Sequence, residues 1–150
     1  MRTPARSALS RVVGWIADRR VPGPLRAPIY KGFARFTGAD LSEVLEPIAT
    51  HRTFTDFFVR RLRVDARPID PDVDAIVSPC DGTVVGLCPV DRGTLLQAKG
   101  RTYPLADLLG SAADAGGCEG GLAWTIYLSP RDYHRVHAPE TCDLASVRRI

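Results

Sequence analysis

Two of the three histidines in this 150-residue sequence, His134 and His137, stand three positions apart in Leu128-Ser129-Pro130-Arg131-Asp132-Tyr133-His134-Arg135-Val136-His137. Imidazole titrates near neutral pH, so such a pair suits general acid–base work. On a regular strand, positions i and i+3 face opposite sides, whereas a turn would let them converge. A metal site would recruit Glu140 beside them, but Pro130 and Pro139 bracket the segment and deny it the long helix that would align the ligands. The bland alternative is two histidines that only pack or face solvent.

Asp81 lies in Ser78-Pro79-Cys80-Asp81-Gly82-Thr83-Val84. Asp-Gly is a strong hairpin-turn dipeptide. The functional alternative is a carboxylate at a strand end that fixes the tautomer of a histidine and steadies its imidazolium. Lys99, in Gln97-Ala98-Lys99-Gly100, is one of two lysines in the chain. It reads as an exposed turn residue, or else as an amine nucleophile or the attachment point of a lipoyl- or biotinyl-type carrier module. Ser111 follows Leu108-Leu109-Gly110, where the glycine is expected to end a helix over residues 104–109. The four cysteines (Cys80, Cys88, Cys118, Cys142) form no CxxC pair, which disfavours a zinc ribbon or thioredoxin-like site, and reduced thiols are expected.

The elements that must position these groups fall into two textures. Residues 7–20 read as an amphipathic helix, with Leu9, Val12, Val13 and Ile16 at spacings of three and four, Trp15 beside them and Arg11, Arg19 and Arg20 off that face. This mixture fits a helix lying in a membrane interface. Val21-Pro22-Gly23-Pro24 ends it. Residues 25–36 are expected to form a second helix with Tyr30, Phe33 and Phe36 on one side, and residues 41–48 a third, limited by Pro47. Residues 51–62 are expected to form a fourth, capped by Thr53 or Thr55, with Phe54, Phe57, Phe58 and Leu62 on a core face. After Arg67-Pro68-Ile69-Asp70-Pro71, short β-type runs follow at residues 75–77, 82–87, 94–98 and 123–128, parted by Gly-containing turns. The fold class is therefore α+β: a helical, membrane-associating region over residues 1–65, then residues 66–150 as the first part of a mainly antiparallel, barrel- or sandwich-like β body. Residues 144–150 read as a strand only begun, so a larger fold is expected.

Charge divides the same way. Residues 1–36 hold eight basic residues (Arg2, Arg6, Arg11, Arg19, Arg20, Arg26, Lys31, Arg35) against Asp18, a net of +7, while the remainder carries a net of −4. A basic arm on a mildly acidic body implies a polyanionic partner, an anionic membrane or a nucleic acid. The aromatics of the arm sit at apolar-face spacing and not on a separate stacking platform, which argues against nucleic acid. The apolar run at residues 12–17 is far short of the ~20 residues of a membrane span, so any membrane contact is at the surface.

Taken in order, Ser10-Arg11-Val12-Val13-Gly14-Trp15, His51-Arg52-Thr53-Phe54, Phe57-Phe58-Val59-Arg60, Arg67-Pro68-Ile69-Asp70, Ser78 to Gly82, Leu96 to Gly100, Tyr103, Leu108-Leu109 and Tyr127 to His137 resemble the bacterial membrane-associated phosphatidylserine decarboxylases. The resemblance covers nearly all of residues 10–150, and its most specific part is Leu128 to His137. It implies a carboxy-lyase made as a proenzyme, in which a serine of a C-terminal Gly-Ser motif attacks its own preceding carbonyl to form an ester, whose elimination leaves a small α chain headed by a pyruvoyl group. That group converts phosphatidylserine in an anionic membrane to phosphatidylethanolamine. By resemblance Asp81 and His137 assist the self-cleavage, and His134 handles substrate in decarboxylation. The resemblance also implies the protein's own α chain and a second copy as partners, no nucleic acid, no metal, and a peripheral location on the cytoplasmic face of the cell's inner membrane. Two departures stand out. Cys80 occupies a position where the family more often has alanine. The pyruvoyl-forming serine is not among these 150 residues, Gly110-Ser111 being a decoy, and this polypeptide alone is expected to be inactive.

Overall fold

The apolar spacing of the first segment does form a helix. In the computed structural model, which describes residues 4–97, 101–147 and 149, α1 spans Pro4–Ala17. Its apolar side is left largely exposed: Leu9, Val12, Val13, Trp15 and Ile16 are all more than half exposed. Arg19 turns back to lie 3.8 Å over the Trp15 ring. No helix among the described residues is long and apolar enough to cross a membrane.

Helix α2, Gly23–Thr37, starts on Pro24, whose missing N–H costs nothing in a first turn, and stops at Gly38, left-handed at φ 83°. It presents Tyr30 and Ala34 inward, while Phe36, expected on the same side as Tyr30, is 90% exposed. A third-residue spacing drifts around a helix of 3.6 residues per turn, and Phe36 is the residue carried off the core. Helix α3, Phe54–Phe58, is capped by Thr53, whose hydroxyl accepts from the Asp56 N–H while the Asp56 carboxylate accepts from the Thr53 N–H. Tyr30 and Phe57, both fully buried, stack at 4.6 Å, and Phe33 meets Phe54 edge-on at 4.8 Å. The phenylalanines of α3 thus form the core of the helical region.

Two helical expectations fail for one reason. The segment expected as a third helix pairs with the C-terminal part of the segment expected as a fourth. Leu45 N–H donates to the Arg61 carbonyl at 2.9 Å and Arg63 N–H to the Glu43 carbonyl at 2.8 Å, with Val44 bridging Leu62. Extended pairing at residues 61–63 cuts α3 off after Phe58. The Asp40 carboxylate, which accepts from the N–H and hydroxyl of Ser42, starts residues 41–48 as a turn instead of a helix.

The β body contains two two-stranded antiparallel sheets among the described residues, open and not closed into a barrel. Strand β1, Thr83–Pro89, pairs with β4, Leu122–Tyr127, in a register that sets Thr83 opposite Tyr127 and slips by a bulge between Val84 and Gly86. Strand β2, Thr94–Gln97, pairs with β3, Arg101–Pro104. Between β3 and β4 in the chain come α4, Leu105–Leu109, ended by left-handed Gly110 as expected, and α5, Ala112–Gly116, capped by the Ser111 hydroxyl. Val90, Leu105 and Ala115 form this region's buried cluster. The strand expected at residues 75–77 is absent, because Ala75 N–H closes a turn onto the Asp72 carbonyl. Residues 144–147 form no ladder.

Candidate active site

The site is assembled by two main-chain hydrogen bonds. Val77 N–H donates to the Pro139 carbonyl at 3.1 Å, and His137 N–H donates to the Pro79 carbonyl at 2.7 Å. Residues 77–79 and 137–139 therefore lie side by side with opposite polarity. Pro79 and Pro139 have no N–H to continue a ladder, so the pairing stops after those two bonds. The result is a short clip that sets His137 opposite Pro79, two residues before Asp81.

Next to the clip is a cleft of about 600 Å³, lined by Leu62, Arg63, Val64, Arg67, Pro68, Ile69, Val77, Ser78, Pro79, Cys80, Asp81, Tyr133, His137 and Ala138. Leu62, Val64, Pro68, Ile69 and Val77 supply apolar surface, while Arg67, Asp81, Tyr133 and His137 supply polar groups. Asp81 and His137 thus share one cleft, although 56 residues of sequence part them. No hydrogen bond joins them directly. Both oxygens of the Asp81 carboxylate are taken by Arg67, through Nε at 2.8 Å and Nη2 at 2.6 Å. Arg67 also donates through Nη1 to Glu43 at 2.9 Å. The Arg67 fork holds the Asp81 carboxyl below the usual carboxylate range, against the opposing pull of partial burial.

Tyr133 lies between the two groups. Its ring is 8% exposed, its N–H points to Asp81 Oδ2 at 3.4 Å, and its hydroxyl is 3.0 Å from His137 Nε2. The rings of Tyr133 and His137 stack at 5.5 Å. His134 is built into a different neighbourhood. Ser129 to Asp132 form a tight turn in which the Ser129 N–H donates to the Asp132 carboxylate at 2.6 Å and the Asp132 N–H to the Ser129 carbonyl at 2.9 Å. That same carbonyl lies 2.9 Å from His134 Nε2, which must therefore carry the proton, leaving Nδ1 as the basic nitrogen. The His134 ring stacks on Phe58 at 4.0 Å.

The helical region holds this histidine segment from behind. Arg60, 3% exposed, donates through Nη2 to the Arg131 carbonyl at 3.3 Å, and Arg135 donates through Nε to the Val59 carbonyl at 2.7 Å. Burial lowers the Arg60 guanidinium from its ordinary value, and Glu43 and Asp81 oppose that shift. Arg60 and Tyr133 fall inside strings that carry the resemblance, but their contacts and the Glu43–Arg67 link escape motif reading. Arg67 falls inside a string that carries the resemblance, but nothing local shows that its partners are 14 and 24 residues away.

Gly82 fixes the approach to Asp81. Its φ is +135°, and a Cβ there would meet the Tyr127 carbonyl oxygen at 2.5 Å and Ile126 Cγ2 at 2.9 Å. Gly82→Ala is expected to cost about 1–3 kcal/mol in denaturant unfolding, since the strained backbone and the close approach both resist a side chain. Unchanged stability would show that this turn tolerates displacement.

The structure therefore brings Asp81 and His137 to one cleft and keeps His134 out of its lining. Lys99 lies outside the described residues. Ser111 is spent on capping α5. Among the described residues, no three His, Cys, Asp or Glu side chains gather as metal ligands would.

A helix-bearing α+β chain with a carboxylate and a histidine clipped into one amphipathic cleft has the outline of an acid–base enzyme site. The phosphatidylserine decarboxylase family matches residues 54–150. Over 134 residues the chain is 46% identical to the phosphatidylserine decarboxylase proenzyme of Anaeromyxobacter sp. (strain K), covering 89% of this chain and 47% of that protein. Over 145 residues it is 47% identical to the phosphatidylserine decarboxylase proenzyme of Bordetella avium (strain 197N), covering 95% and 49%. The Brevibacillus brevis protein of the same name is 44% identical over 141 residues. The chain belongs to the phosphatidylserine decarboxylase family. It spans about half the length of the curated relatives it matches.

Proposed function

We propose that these residues form the N-terminal half of a pyruvoyl-dependent phosphatidylserine decarboxylase, made as a proenzyme that cleaves itself and then converts phosphatidylserine to phosphatidylethanolamine. The observation that carries this reading is the clip between residues 77–79 and 137–139, which gives Asp81 and His137 a common cleft. During maturation His137 takes the proton of the attacking serine hydroxyl and returns it to the departing amide nitrogen. Asp81, kept anionic beside Arg67, steadies the transient imidazolium. The cleft is wide enough for a small carbonyl group, and its acid–base lining suits one. The pyruvoyl group, once formed, supplies the electron sink that loss of CO₂ from an amino-acid headgroup requires. His134 offers Nδ1 as a proton carrier for the substrate, its Nε2–H being anchored on the Ser129 carbonyl.

The exposed apolar side of α1, with its basic surroundings, supports docking on the cytoplasmic face of an anionic inner membrane, where the lipid substrate resides. The exposed apolar residues of the β1–β4 sheet, among them Leu87, Leu122 and Trp124, support its completion into a closed β body by the protein's α chain. A homodimer is the assembly we infer from family membership. The test is to present full-length protein with vesicles containing phosphatidylserine. Release of CO₂ with matching phosphatidylethanolamine is expected, whereas intact lipid in the presence of correctly cleaved protein would refute the activity.

A further inference from the structure

We propose that Arg67 is the positioning residue of the Asp81 carboxylate, and that Glu43, in the segment between α2 and α3, holds Arg67 in turn. The proposal rests on the role given above to Asp81. Its basis is geometric. Arg67 grips both oxygens of Asp81 through Nε and Nη2, while Nη1 donates to Glu43 and to the Ala66 carbonyl. A carboxylate gripped at both oxygens by a planar fork can neither rotate nor translate freely. Asp81 stands at the end of an irregular segment, where main-chain pairing alone would leave its side chain loose, and its remaining contact is one long bond from the Tyr133 N–H.

The chain Glu43–Arg67–Asp81 runs from the helical region into the β body, so it ties the aim of the carboxylate to the packing of residues 43–45 against 61–63. The charged and titratable groups around Asp81 are Arg67, the buried Arg60, Glu43 and Asp40, with Arg63 and His137 lining the same cleft. Arg131 and Asp132 line a smaller cavity of about 160 Å³ behind it. Removing Arg67 takes away the donors and the positive charge that hold the Asp81 carboxyl below the usual carboxylate range, so the carboxylate is neutralised at higher pH.

The test is self-cleavage of the full-length proenzyme, followed as a rate against pH for wild type, Arg67→Ala, Arg67→Lys, Glu43→Gln and Asp81→Asn. Arg67→Ala is expected to slow cleavage about 10- to 100-fold, the scale of a small misplacement of a catalytic group. It should also move the acid limb of the profile to higher pH. Arg67→Lys keeps the charge and loses the fork, so its limb should stay near that of wild type while its rate remains low. Glu43→Gln should slow cleavage less than Arg67→Ala. A wild-type rate in Arg67→Ala, or a loss of rate with no movement of the limb, overturns the proposal and leaves the Asp81 assignment standing. Normal cleavage of Asp81→Asn sinks that assignment and this proposal with it. If Arg67→Ala fails to fold, Arg67→Lys decides by rate alone: slowed cleavage supports the proposal and a wild-type rate overturns it.

Discussion

His137→Ala, placed in the full-length proenzyme, is expected to leave the protein as one uncut chain. The main-chain bond from residue 137 to the Pro79 carbonyl does not depend on the side chain, so the clip and the cleft should survive the substitution. What is lost is the imidazole proposed to shuttle the serine proton. General acid–base groups of this kind contribute roughly 10²- to 10⁴-fold to a rate. Without the imidazole, a cleavage that takes minutes would stretch into hours or days. Tyr133, which stacks on this ring and bonds to it, loses a partner that is itself solvent-exposed, so the cost in folding stability should be small. A time course on a denaturing gel reads the result, and appearance of two chains at the wild-type rate would remove His137 from the mechanism.

His134→Ala is expected to give the opposite pattern: normal cleavage, then decarboxylation reduced by about 10²- to 10⁴-fold. The geometry separates the two histidines. His134 is held by the Ser129 carbonyl and by Phe58, outside the cleft lined by Asp81 and His137, so its removal should not disturb the maturation pair. His134→Gln offers a control, because its amide can still donate to the Ser129 carbonyl but cannot carry a proton near neutral pH. Equal loss in the glutamine and alanine variants points to proton transfer, whereas recovery in glutamine would reassign His134 to holding the Ser129–Asp132 turn. Failure of either variant to cleave would contradict the division of labour.

The two textures of the chain were legible because they are local. Apolar spacing gives α1 and α2, Thr53 marks the start of α3, and Gly110 stops α4 through a left-handed residue that few others adopt. The failures came from pairing at a distance. Residues 41–48 carry enough apolar spacing for a helix, yet Glu43 and Leu45 bond to residues 61–63, and no window of sequence contains both partners. Strand β3 and helix α5 are too short to have a period, at four and five residues.

The site divides along the same line. Asp81, His134 and His137 stood out by residue type and by resemblance. Their supports did not stand out as such: Arg60, Arg67 and Tyr133 lie inside the resembling strings and Glu43 outside them, and all four act through contacts that ordinary arginines, acids and tyrosines reveal only in three dimensions. The two histidines, which a turn could have brought together, stay apart because the Ser129–Asp132 turn and the Pro79 clip hold the two rings against different partners.

The central claim is that Asp81 and His137 serve a self-cleaving decarboxylase proenzyme, and the intact mass spectrum of the purified full-length protein tests it most directly. The expected spectrum for wild type shows two chains, the smaller with a pyruvoyl group in place of its first serine, and for Asp81→Asn and His137→Ala a single chain of the full mass. A wild-type protein that decarboxylates phosphatidylserine as one uncut chain, or an Asp81→Asn variant cut as fast as wild type, would contradict it.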